Sequence, residues 1–311
     1  MSKGFITIAT GDEQYYRIAY NLLRSYRFFS KDPVPFALLC DRTNKYTEPF
    51  DQVIIMERPY RSYLDKLRFP LYTPFDETIF IDADSLAYRD LNDFWNSFTG
   101  DSFFSVFGED LPTDYAYGWF KPEDMGEFRD RIHMIPEFIG GIYYVRKCPE
   151  LTEFMNTVDY VHEHYYDYRF RQFTDPCDEP VFALSLAAHS QHTAGSRTLD
   201  ICFYPHNTYF KADISVQHIA YRDKYHLDRG LITDSWMVHW GSGNTRRPRY
   251  QLEVYRLNRI IKGRKTGRIH SAAAFGVLHA VHFTKRVIRY IRKRIVKRYP
   301  THRVRNDSVF V

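Results

Sequence analysis

Two acidic residues with one residue between them, Asp82 and Asp84, follow the apolar run at residues 79–81. The run favours a buried strand, and because side chains alternate between the faces of a strand, we expect both carboxylates to point the same way. Ligands in open α/β sheets bind outside the carboxyl ends of the strands. Two carboxylates there would form a hard-oxygen site for Mg²⁺ or Mn²⁺, which could hold a diphosphate. The alternative is an acidic turn without a metal, although no other Asp-x-Asp occurs in the chain.

A third candidate ligand, His239, lies in a later apolar run at residues 235–240 and precedes a glycine-rich basic turn. Backbone amides of such a turn, together with Arg246 and Arg247, could face phosphate groups. A single histidine at the end of a strand is more often structural than functional. The presence of the acidic pair elsewhere in the chain favours the ligand interpretation.

Two further features could do chemistry but also have a plain structural explanation. Asp178 and Glu179 precede Pro180 at the start of a predicted helix, where carboxylates could act as acid or base but also complement the helix dipole. Gly140 and Gly141 precede a predicted strand, where they could admit a ligand close to the backbone or form a tight turn. The residues alone leave both alternatives open.

The elements around these residues predict an α/β fold with a mixed, mostly parallel sheet flanked by helices. In the first hundred residues, strands and helices follow one another in the order typical of the nucleotide-binding half of a doubly wound sheet. The predicted strands there are 5–10, 35–40, 53–56 and 78–82, with a turn at 11–13, a helix from about 15 to 27 and a short helix around 66–69. Later strands are predicted at 103–107, 142–145, 200–203 and 235–240, and helices at 149–165 and from 178. Residues 108–135, with Tyr115, Tyr117 and Trp119, are predicted to form an irregular lid or wall.

Composition limits the class of protein. The chain has 311 residues, of which 44% are hydrophobic and 17% aromatic, as expected for a globular protein with a sizeable core. Its four cysteines lie far apart, which indicates neither a zinc site nor a disulfide framework and fits a reducing compartment. The sequence shows no signal peptide and no apolar run of about 18 residues. We therefore expect a cytoplasmic protein.

Basic residues are concentrated at the C-terminus. Residues 262–311 contain 14 Lys and Arg and one acid, a net charge of +13, whereas the rest of the chain has a net charge of −8. Apolar residues recur among these cations at helical spacing, and such a basic amphipathic helix is typical of proteins that lie on an anionic membrane surface, here its cytoplasmic face. Contact with a partner protein is the second interpretation, and nucleic-acid binding is the least favoured. The predicted domains are 1–260, with halves at 1–100 and 101–260, and a tail at 261–311.

In combination, these segments resemble the GT-A glycosyltransferases, and most closely family 8, the glycogenin and lipopolysaccharide-galactosyltransferase type. The resemblance runs from about residue 4 to 250 and is most specific between Lys66 and Asp84, where the Lys-Leu element and the Ile-Asp-Ala-Asp-Ser stretch keep the family spacing. It implies a metal-dependent enzyme that moves a sugar from a nucleoside-diphosphate sugar, with UDP favoured, to a glycan or glycolipid. It also implies that the anomeric configuration is retained.

The resemblance implies roles for individual residues. Asp82, Asp84 and His239 would coordinate Mn²⁺ or Mg²⁺. Asp178 and Glu179 would be the catalytic carboxylates beside the reactive face of the sugar. The matches to nucleotide-sugar contacts are Ala9, Thr10, Asp12, Tyr15, Lys66, Ala83, Gly140, Gly141, Gly241, Arg246 and Arg247.

Three positions depart from the family pattern. Ile139 stands where the family has Asn, Glu179 where it has Gln, and Arg246-Arg247 where it has Lys. These positions concern sugar and phosphate contacts rather than the fold. Two other functions stay open: a metal-dependent nucleotide-sugar hydrolase or nucleotidyltransferase, and a non-catalytic nucleotide-sugar-binding scaffold.

Overall fold

The computed structural model describes residues 1–98, 100–113, 123, 125–168, 170, 176–195, 201–233 and 235–298, with side chains up to residue 291. The chain divides into two compact units, Met1–Thr245 and Arg246–Val311. The sequence placed the division after residue 260, whereas the helix at 248–261 is grouped with the second unit. The functional halves assigned to 1–100 and 101–260 stay predictions.

The first unit combines strands with α-helices. The strands are β1 (Lys3–Ala9), β2 (Phe36–Cys40), β3 (Gln52–Ile55), β4 (Glu77–Ile81), β5 (Ser85–Ala87), β6 (Phe104–Pro112), β7 (Met134–Arg146), β8 (Ile201–Phe203), β9 (Asn207–Asp213), β10 (His218–Asp223) and β11 (Met237–His239). The α-helices of both units are α1 (Glu13–Phe29), α2 (Phe69–Tyr72), α3 (Glu150–Glu163), α4 (Asp178–Ala188), α5 (Pro248–Ile261) and α6 (Arg268–Arg298). A 3₁₀ helix at Tyr63–Arg68 leads into α2.

The central sheet of the first unit has six strands in the order β3-β2-β1-β4-β7-β6. Strands β1 to β4 pair in parallel, and β7 runs antiparallel to both of its neighbours. The predicted mixed, mostly parallel sheet flanked by helices is therefore confirmed. Because β1 and β4 are parallel neighbours, their carboxyl ends lie side by side at one edge of the sheet, as the rule for ligand sites in α/β folds requires.

Alternate residues of the central strands enter two hydrophobic cores, one on each face of the sheet. In β4, Ile79 and Ile81 pack in the core that contains α1, whereas Phe80 packs in the core that contains α3 and α4. Burial on both faces explains why the strand reads as a continuous apolar run. Full burial of a side chain such as Phe80 contributes about 1.5–3 kcal/mol relative to exposure.

The prediction of an irregular region at 108–135 is wrong at both ends of that range. β6 continues to Pro112 and β7 begins at Met134, because the two strands pair from Gly108↔Phe138 to Pro112↔Met134. Acidic residues and prolines in this hairpin concealed its pairing from a prediction based on apolar periodicity. Residues 114–122 and 124, which include the predicted wall residues Tyr115, Tyr117 and Trp119, lie outside the described residues.

A bulge in β7 contains the two glycines. Val106 pairs with Tyr143 but Gly108 pairs with Phe138, so residues 139–142 oppose one residue of β6. Gly140 and Gly141 therefore lie within a strand, and not before one as the sequence predicted. Bulges of this kind re-aim neighbouring side chains and are common beside active sites.

A second, three-stranded sheet has the order β5-β11-β8. β11 pairs antiparallel with β5, where His239 lies opposite Ser85, and parallel with β8. β9 and β10 form a separate antiparallel hairpin. The sequence did not predict this hairpin, because the residues of β9 are all partly or fully exposed and make no apolar run.

The second unit contains α5 and α6, and the predicted tail helix is present in α6. Within the unit, Arg256 Nη1 lies 2.5 Å from Glu253 Oε1, and Arg256 Nε donates a hydrogen bond to Ser271 Oγ at 3.3 Å. None of the helices in the described ranges combines the length and the apolar character that crossing a membrane requires.

Candidate active site

The side chains of Asp82, Asp84 and His239 converge at the carboxyl end of β4. Their candidate ligand atoms all lie within 4.8 Å of one another. His239 Nε2 is 3.0 Å from Asp84 Oδ1 and 3.3 Å from Asp82 Oδ2. Two carboxylate oxygens and an imidazole nitrogen form a donor set that suits a divalent cation.

The reason for the convergence differs from the predicted one. β4 ends at Ile81, and Asp82 to Ser85 form a turn in which Ser85 N–H donates to Asp82 O at 3.1 Å. The two acids therefore lie in a turn rather than in a strand, and the alternation of side chains along a strand does not apply to them. The turn brings both carboxylates to the same side all the same.

Backbone hydrogen bonds fix the three residues relative to one another. Trp240 N–H donates to Asp84 O at 3.0 Å, which continues the pairing between β5 and β11. Asp82 N–H donates to Gly141 O at 2.9 Å, which ties the turn to β7. The imidazole of His239 also packs edge-on against Phe203, with ring centroids 4.9 Å apart. Rigid strands therefore position all three candidate ligands.

Gly141 makes room for the histidine. A Cβ atom added there would lie 2.8 Å from His239 Nδ1 and 3.7 Å from Asp82 Oδ2, and its φ of +155° lies at the edge of the range that favours glycine. The sequence suggested that the glycine pair admits a ligand to the backbone. In the structure, a side chain of the protein itself fills the space beside Gly141.

Lys66 connects the candidate metal ligands to the acidic start of α4. Its Nζ lies 2.9 Å from Asp82 Oδ2 and 3.3 Å from Asp178 Oδ2. Burial alone would lower the pKa of Lys66, but the carboxylates of Asp178, Asp82 and Glu179 outweigh it and raise the pKa well above its usual value. Lys66 is therefore a permanent cation in the site.

Glu179 closes the site from the other side. Its Oε1 accepts a hydrogen bond from Gly140 N–H at 2.5 Å. Burial, together with the neighbouring charge of Asp178, raises the pKa of Glu179 to about 7. Asp178 is also buried and lies beside Lys66, so the two predicted catalytic residues have different surroundings. Different surroundings for two acids are a common basis for separate chemical roles.

Charge in the site favours a bound cation. Four carboxyl groups, those of Asp82, Asp84, Asp178 and Glu179, lie around two basic groups, Lys66 and His239. Burial raises the pKa of Asp82, whereas in Asp84 the effect of burial is outweighed by His239 and the pKa falls. Burial would lower the pKa of His239, but Asp84 and Asp82 raise it. A divalent cation would compensate the negative charge of the carboxylates. The donor set therefore fits Mn²⁺ or Mg²⁺ in chemistry and in charge.

A cavity of about 430 Å³ opens beside this cluster. Such a volume lies within the range of small-molecule sites in proteins. Asp65 joins two of its walls, since its buried carboxylate accepts hydrogen bonds from Thr10 Oγ1 at 2.6 Å and from the backbone of Tyr60 and Arg61 at 2.7 and 3.0 Å. The residues that line the cavity are Ile8, Thr10, Tyr15, Ile18, Arg61, Ser62, Tyr63, Asp65, Lys66, Phe80, Asp82, Ala83, Asp84, Pro176 and Ser242.

Four of the eleven predicted nucleotide-sugar contacts line this cavity. Thr10, Tyr15, Lys66 and Ala83 line it. The other matches lie elsewhere: Ala9 is buried at the end of β1, Asp12 is the exposed residue before α1, Gly141 is beside His239, Gly140 is beside Glu179, and Gly241 precedes Ser242 with a φ of +70°. Arg246 and Arg247 belong to the second unit. The roles assigned to all of these residues stay predictions.

Ile139, which replaces the family's Asn, lines a small apolar recess of about 30 Å³ beside His239 and Gly141. The sequence analysis did not single out two other groups of the site, Asp65 and Tyr143. Asp65 could have been identified from the sequence, because it lies three residues after Ser62 and directly before Lys66. For Tyr143 the sequence held no distinguishing signal, because Tyr144 follows it in the same strand.

Neither protein-family models nor the sequences of curated proteins match the chain. Two solved structures of glycosyltransferases share its fold. The galactosyltransferase LgtC, in complex with donor and acceptor sugar analogues, matches with a TM-score of 0.52 and 11% identity over 87% of this chain and 99% of that one. The bifunctional glycosyltransferase WbbM matches with a TM-score of 0.50 and 12% identity over 78% of this chain and 46% of that one. The predicted resemblance to the GT-A glycosyltransferases is therefore confirmed at the level of the fold.

Proposed function

We propose that the chain is a metal-dependent glycosyltransferase that moves a sugar from a nucleoside-diphosphate sugar to a glycan or glycolipid acceptor. The observation that carries the proposal is the cluster of Asp82, Asp84 and His239, of which the two aspartates line a cavity of about 430 Å³. The structure of LgtC, which shares the fold, holds donor and acceptor sugar analogues, and this supports the same two classes of substrate here.

Asp82, Asp84 and His239 would hold Mn²⁺ or Mg²⁺. When bound, such an ion neutralises charge on the diphosphate leaving group. Lys66 adds a second positive charge, held by Asp82 and Asp178 at the inner end of the cavity. Fixed charges in a buried site stabilise a developing anion strongly because they need no reorganisation.

Asp178 and Glu179 are the carboxyl groups proposed to act on the sugar and on the acceptor. Departure of the leaving group gives the sugar positive, oxocarbenium-like character, which a nearby carboxylate stabilises. Asp178, which lies against a lysine, suits this role. Glu179, with its raised pKa, suits transfer of the acceptor proton near neutral pH. Retention of the anomeric configuration follows from the family resemblance and forms part of the proposal.

The partly apolar cavity wall formed by Ile8, Tyr15 and Ile18 offers a surface for a base and ribose, and UDP is the favoured nucleotide. This preference derives from the family resemblance. The proposed acceptor is a glycan or glycolipid.

We also propose that the second unit binds the cytoplasmic face of an anionic membrane. At 100° per residue, the exposed apolar side chains of α6 lie on one arc and its exposed cations on the other. The apolar residues are Val277, Val281, Phe283, Val287, Ile288 and Ile291. The cations are Lys285, Arg286 and Arg289. Apolar burial and attraction to anionic lipids reinforce each other on such a helix.

The function is tested with a panel of nucleotides and nucleotide-sugars in thermal-shift and turnover assays, with and without Mn²⁺. We expect UDP to raise the melting temperature only when Mn²⁺ is present, and one UDP-sugar to be transferred or slowly hydrolysed. Release of pyrophosphate or of sugar phosphate would instead identify a nucleotidyltransferase or a hydrolase. Binding of a nucleotide-sugar without turnover, in the presence of a wide range of oligosaccharide acceptors, would identify a scaffold.

A further inference from the structure

We propose that Tyr143 is a positioning residue that orients the catalytic carboxylate of Asp178 and keeps Lys66 shared between Asp178 and Asp82. This inference rests on the proposed function. Tyr143 lies in the core of β7, outside every motif that the sequence analysis identified.

The contact is short and fully buried. Tyr143 Oη donates a hydrogen bond to Asp178 Oδ2 at 2.6 Å, and both residues have no more than 1% of their surface exposed. Lys66 Nζ lies 3.3 Å from the same oxygen. Two donors on one carboxylate oxygen restrict rotation of the Asp178 side chain, because rotation would break both contacts at once.

Gly140 provides the space that this contact needs. A Cβ atom at position 140 would lie 2.6 Å from Tyr143 Oη and 2.7 Å from Glu179 Oε1. Any larger residue would therefore push the phenol and the glutamate away from their partners. Gly140 lies in the bulge of β7 and Tyr143 directly follows that bulge, so the two residues form one arrangement with Asp178 and Glu179.

The phenol is suited to act as a constant donor. Burial raises the pKa of Tyr143 well above its usual value, and the carboxylates of Asp178 and Glu179 raise it further. The hydroxyl therefore keeps its proton throughout the working pH range. Five aromatic rings hold the Tyr143 ring in place: Phe69, Phe80, Phe104, Phe138 and Phe182.

Without the phenol, Asp178 would retain Lys66 as its strong partner. The carboxylate could then turn, draw the ammonium away from Asp82, and leave a buried oxygen with too few donors. Partners of this kind, which orient a catalytic group without touching the substrate, typically contribute 10–100-fold to activity.

The chain offers a matched control on the same strand. Tyr144 Oη donates to Glu77 Oε2 at 3.0 Å, and Tyr144 packs in the opposite core, away from Lys66 and Asp178. Tyr143→Phe and Tyr144→Phe each remove one phenol-to-carboxylate hydrogen bond and keep the ring. Only the first removes a contact to a proposed catalytic residue.

The test measures kcat and KM for the best UDP-sugar of the panel in four variants: Tyr143→Phe, Tyr144→Phe, Asp178→Asn and the double variant Tyr143→Phe/Asp178→Asn. We expect Tyr143→Phe to lower kcat by about 10–100-fold with little change in the KM for the donor or in the affinity for UDP with Mn²⁺. Tyr144→Phe should retain kcat. In the Asp178→Asn background, removal of the Tyr143 hydroxyl should have almost no further effect.

Urea unfolding of the same variants gives a second measurement that does not depend on activity. We expect the effects of Tyr143→Phe and Asp178→Asn on the unfolding equilibrium constant to deviate from additivity by about 10-fold, as for residues in direct contact. Additive effects would overturn the inference, and so would a wild-type kcat in Tyr143→Phe. A wild-type protein that binds UDP and Mn²⁺ but turns over no donor would contradict the proposed function. The unfolding measurement would still show whether Tyr143 and Asp178 are energetically coupled.

Discussion

The ammonium of Lys66 lies 2.9 Å from Asp82 Oδ2, an oxygen proposed to bind the metal ion. A lysine and a divalent cation would therefore share one carboxylate. The lysine stabilises the metal-free site, because it compensates buried negative charge. It also repels an incoming cation. Metal affinity and stability should respond to this residue in opposite directions.

Replacement of Lys66 by Met should separate these effects. Loss of one partner of a buried ion pair costs about 3–5 kcal/mol, so the metal-free variant should unfold at lower urea concentration. Mn²⁺ should raise its melting temperature more than that of the wild type, while turnover falls by at least about 100-fold. Lys3→Met is the control, since Lys3 is 47% exposed in its pair with Glu77 and surface pairs contribute about 0–1 kcal/mol. An equal response of both variants to Mn²⁺ would count against a shared carboxylate.

Asp84→Asn tests the candidate metal ligands. The amide is nearly isosteric with the carboxylate but lacks its charge, so we expect the Mn²⁺-dependent thermal shift to disappear and turnover to fall by at least about 100-fold. The metal-free protein should still fold but be less stable than the wild type, because His239 loses its buried ionised partner. Asp159→Asn, on the exposed side of α3, is the control. Unchanged turnover in Asp84→Asn would refute the metal-site assignment.

The raised pKa of Glu179 predicts how stability depends on pH. With a folded-state pKa of about 7 and an unfolded value of about 4.3, the folded protein holds the extra proton between these two values. Stability should therefore fall as the pH rises from about 4 to 7, by on the order of 3 kcal/mol, and change little from this group above that range. The Glu179→Gln variant keeps the acceptor for Gly140 but has no proton to lose. Its melting temperature, measured without metal, should exceed that of the wild type increasingly as the pH approaches 7.

Glu163→Gln, at the exposed end of α3, is the matched control for this measurement. It should follow the wild-type curve at every pH. Parallel curves for Glu179→Gln and the wild type would show that Glu179 titrates normally.

Gly141→Ala tests the space beside the histidine. The added Cβ would lie 2.8 Å from His239 Nδ1, closer than real contacts allow, so the imidazole must move. We expect a loss of Mn²⁺ affinity of about 10–100-fold, read by calorimetry or thermal shift. Gly100→Ala is the control, because a Cβ there meets no atom within 4 Å. A similar Mn²⁺ affinity in both variants would show that His239 does not bind the ion.

Charge reversal tests the membrane proposal. Each cation near an anionic surface contributes about 1 kcal/mol, so reversal of Lys285, Arg286 and Arg289 to Glu should weaken binding to vesicles that contain phosphatidylserine by more than about 100-fold. Binding to vesicles of phosphatidylcholine alone should be weak for both proteins. Turnover with a soluble acceptor should be unchanged.

A matched triple variant in the first unit controls for net charge. It reverses three exposed lysines: Lys31, Lys45 and Lys211. If both triple variants lose the same vesicle affinity, overall charge rather than α6 attracts the membrane.

Local patterns predicted the elements better than they predicted the contacts between them. The apolar run before Asp82 corresponds to β4, because a strand buried on both faces is apolar throughout. The helical spacing after Glu13 corresponds to α1, because a helix buried on one face repeats its apolar residues every three to four positions. The β6–β7 hairpin beyond Gly108 has neither periodicity, since it contains acids and prolines. Its register depends on pairing with a distant segment, which a local pattern does not encode.

The candidate site shows the same division. Residue type and spacing identified Asp82, Asp84 and His239, and the structure brings them together. The contacts that orient them were not predictable, because they depend on the bulge that contains Gly141, beside His239, and on the turn that replaces the predicted strand at Asp82. Both are products of tertiary packing rather than of propensity.

The pairing of β11 with β5 joins His239 to a segment more than a hundred residues earlier in the chain. Such a long-range contact forms late, because closing a long loop costs entropy before any contact compensates for it. During synthesis, the six strands of the central sheet emerge well before β11 does. A nascent chain can therefore assemble most of its core while it still lacks one of the three candidate ligands. The site would become able to hold a metal ion only when the last strand of the first unit has docked, so that metal binding reports completion of the fold rather than initiating it.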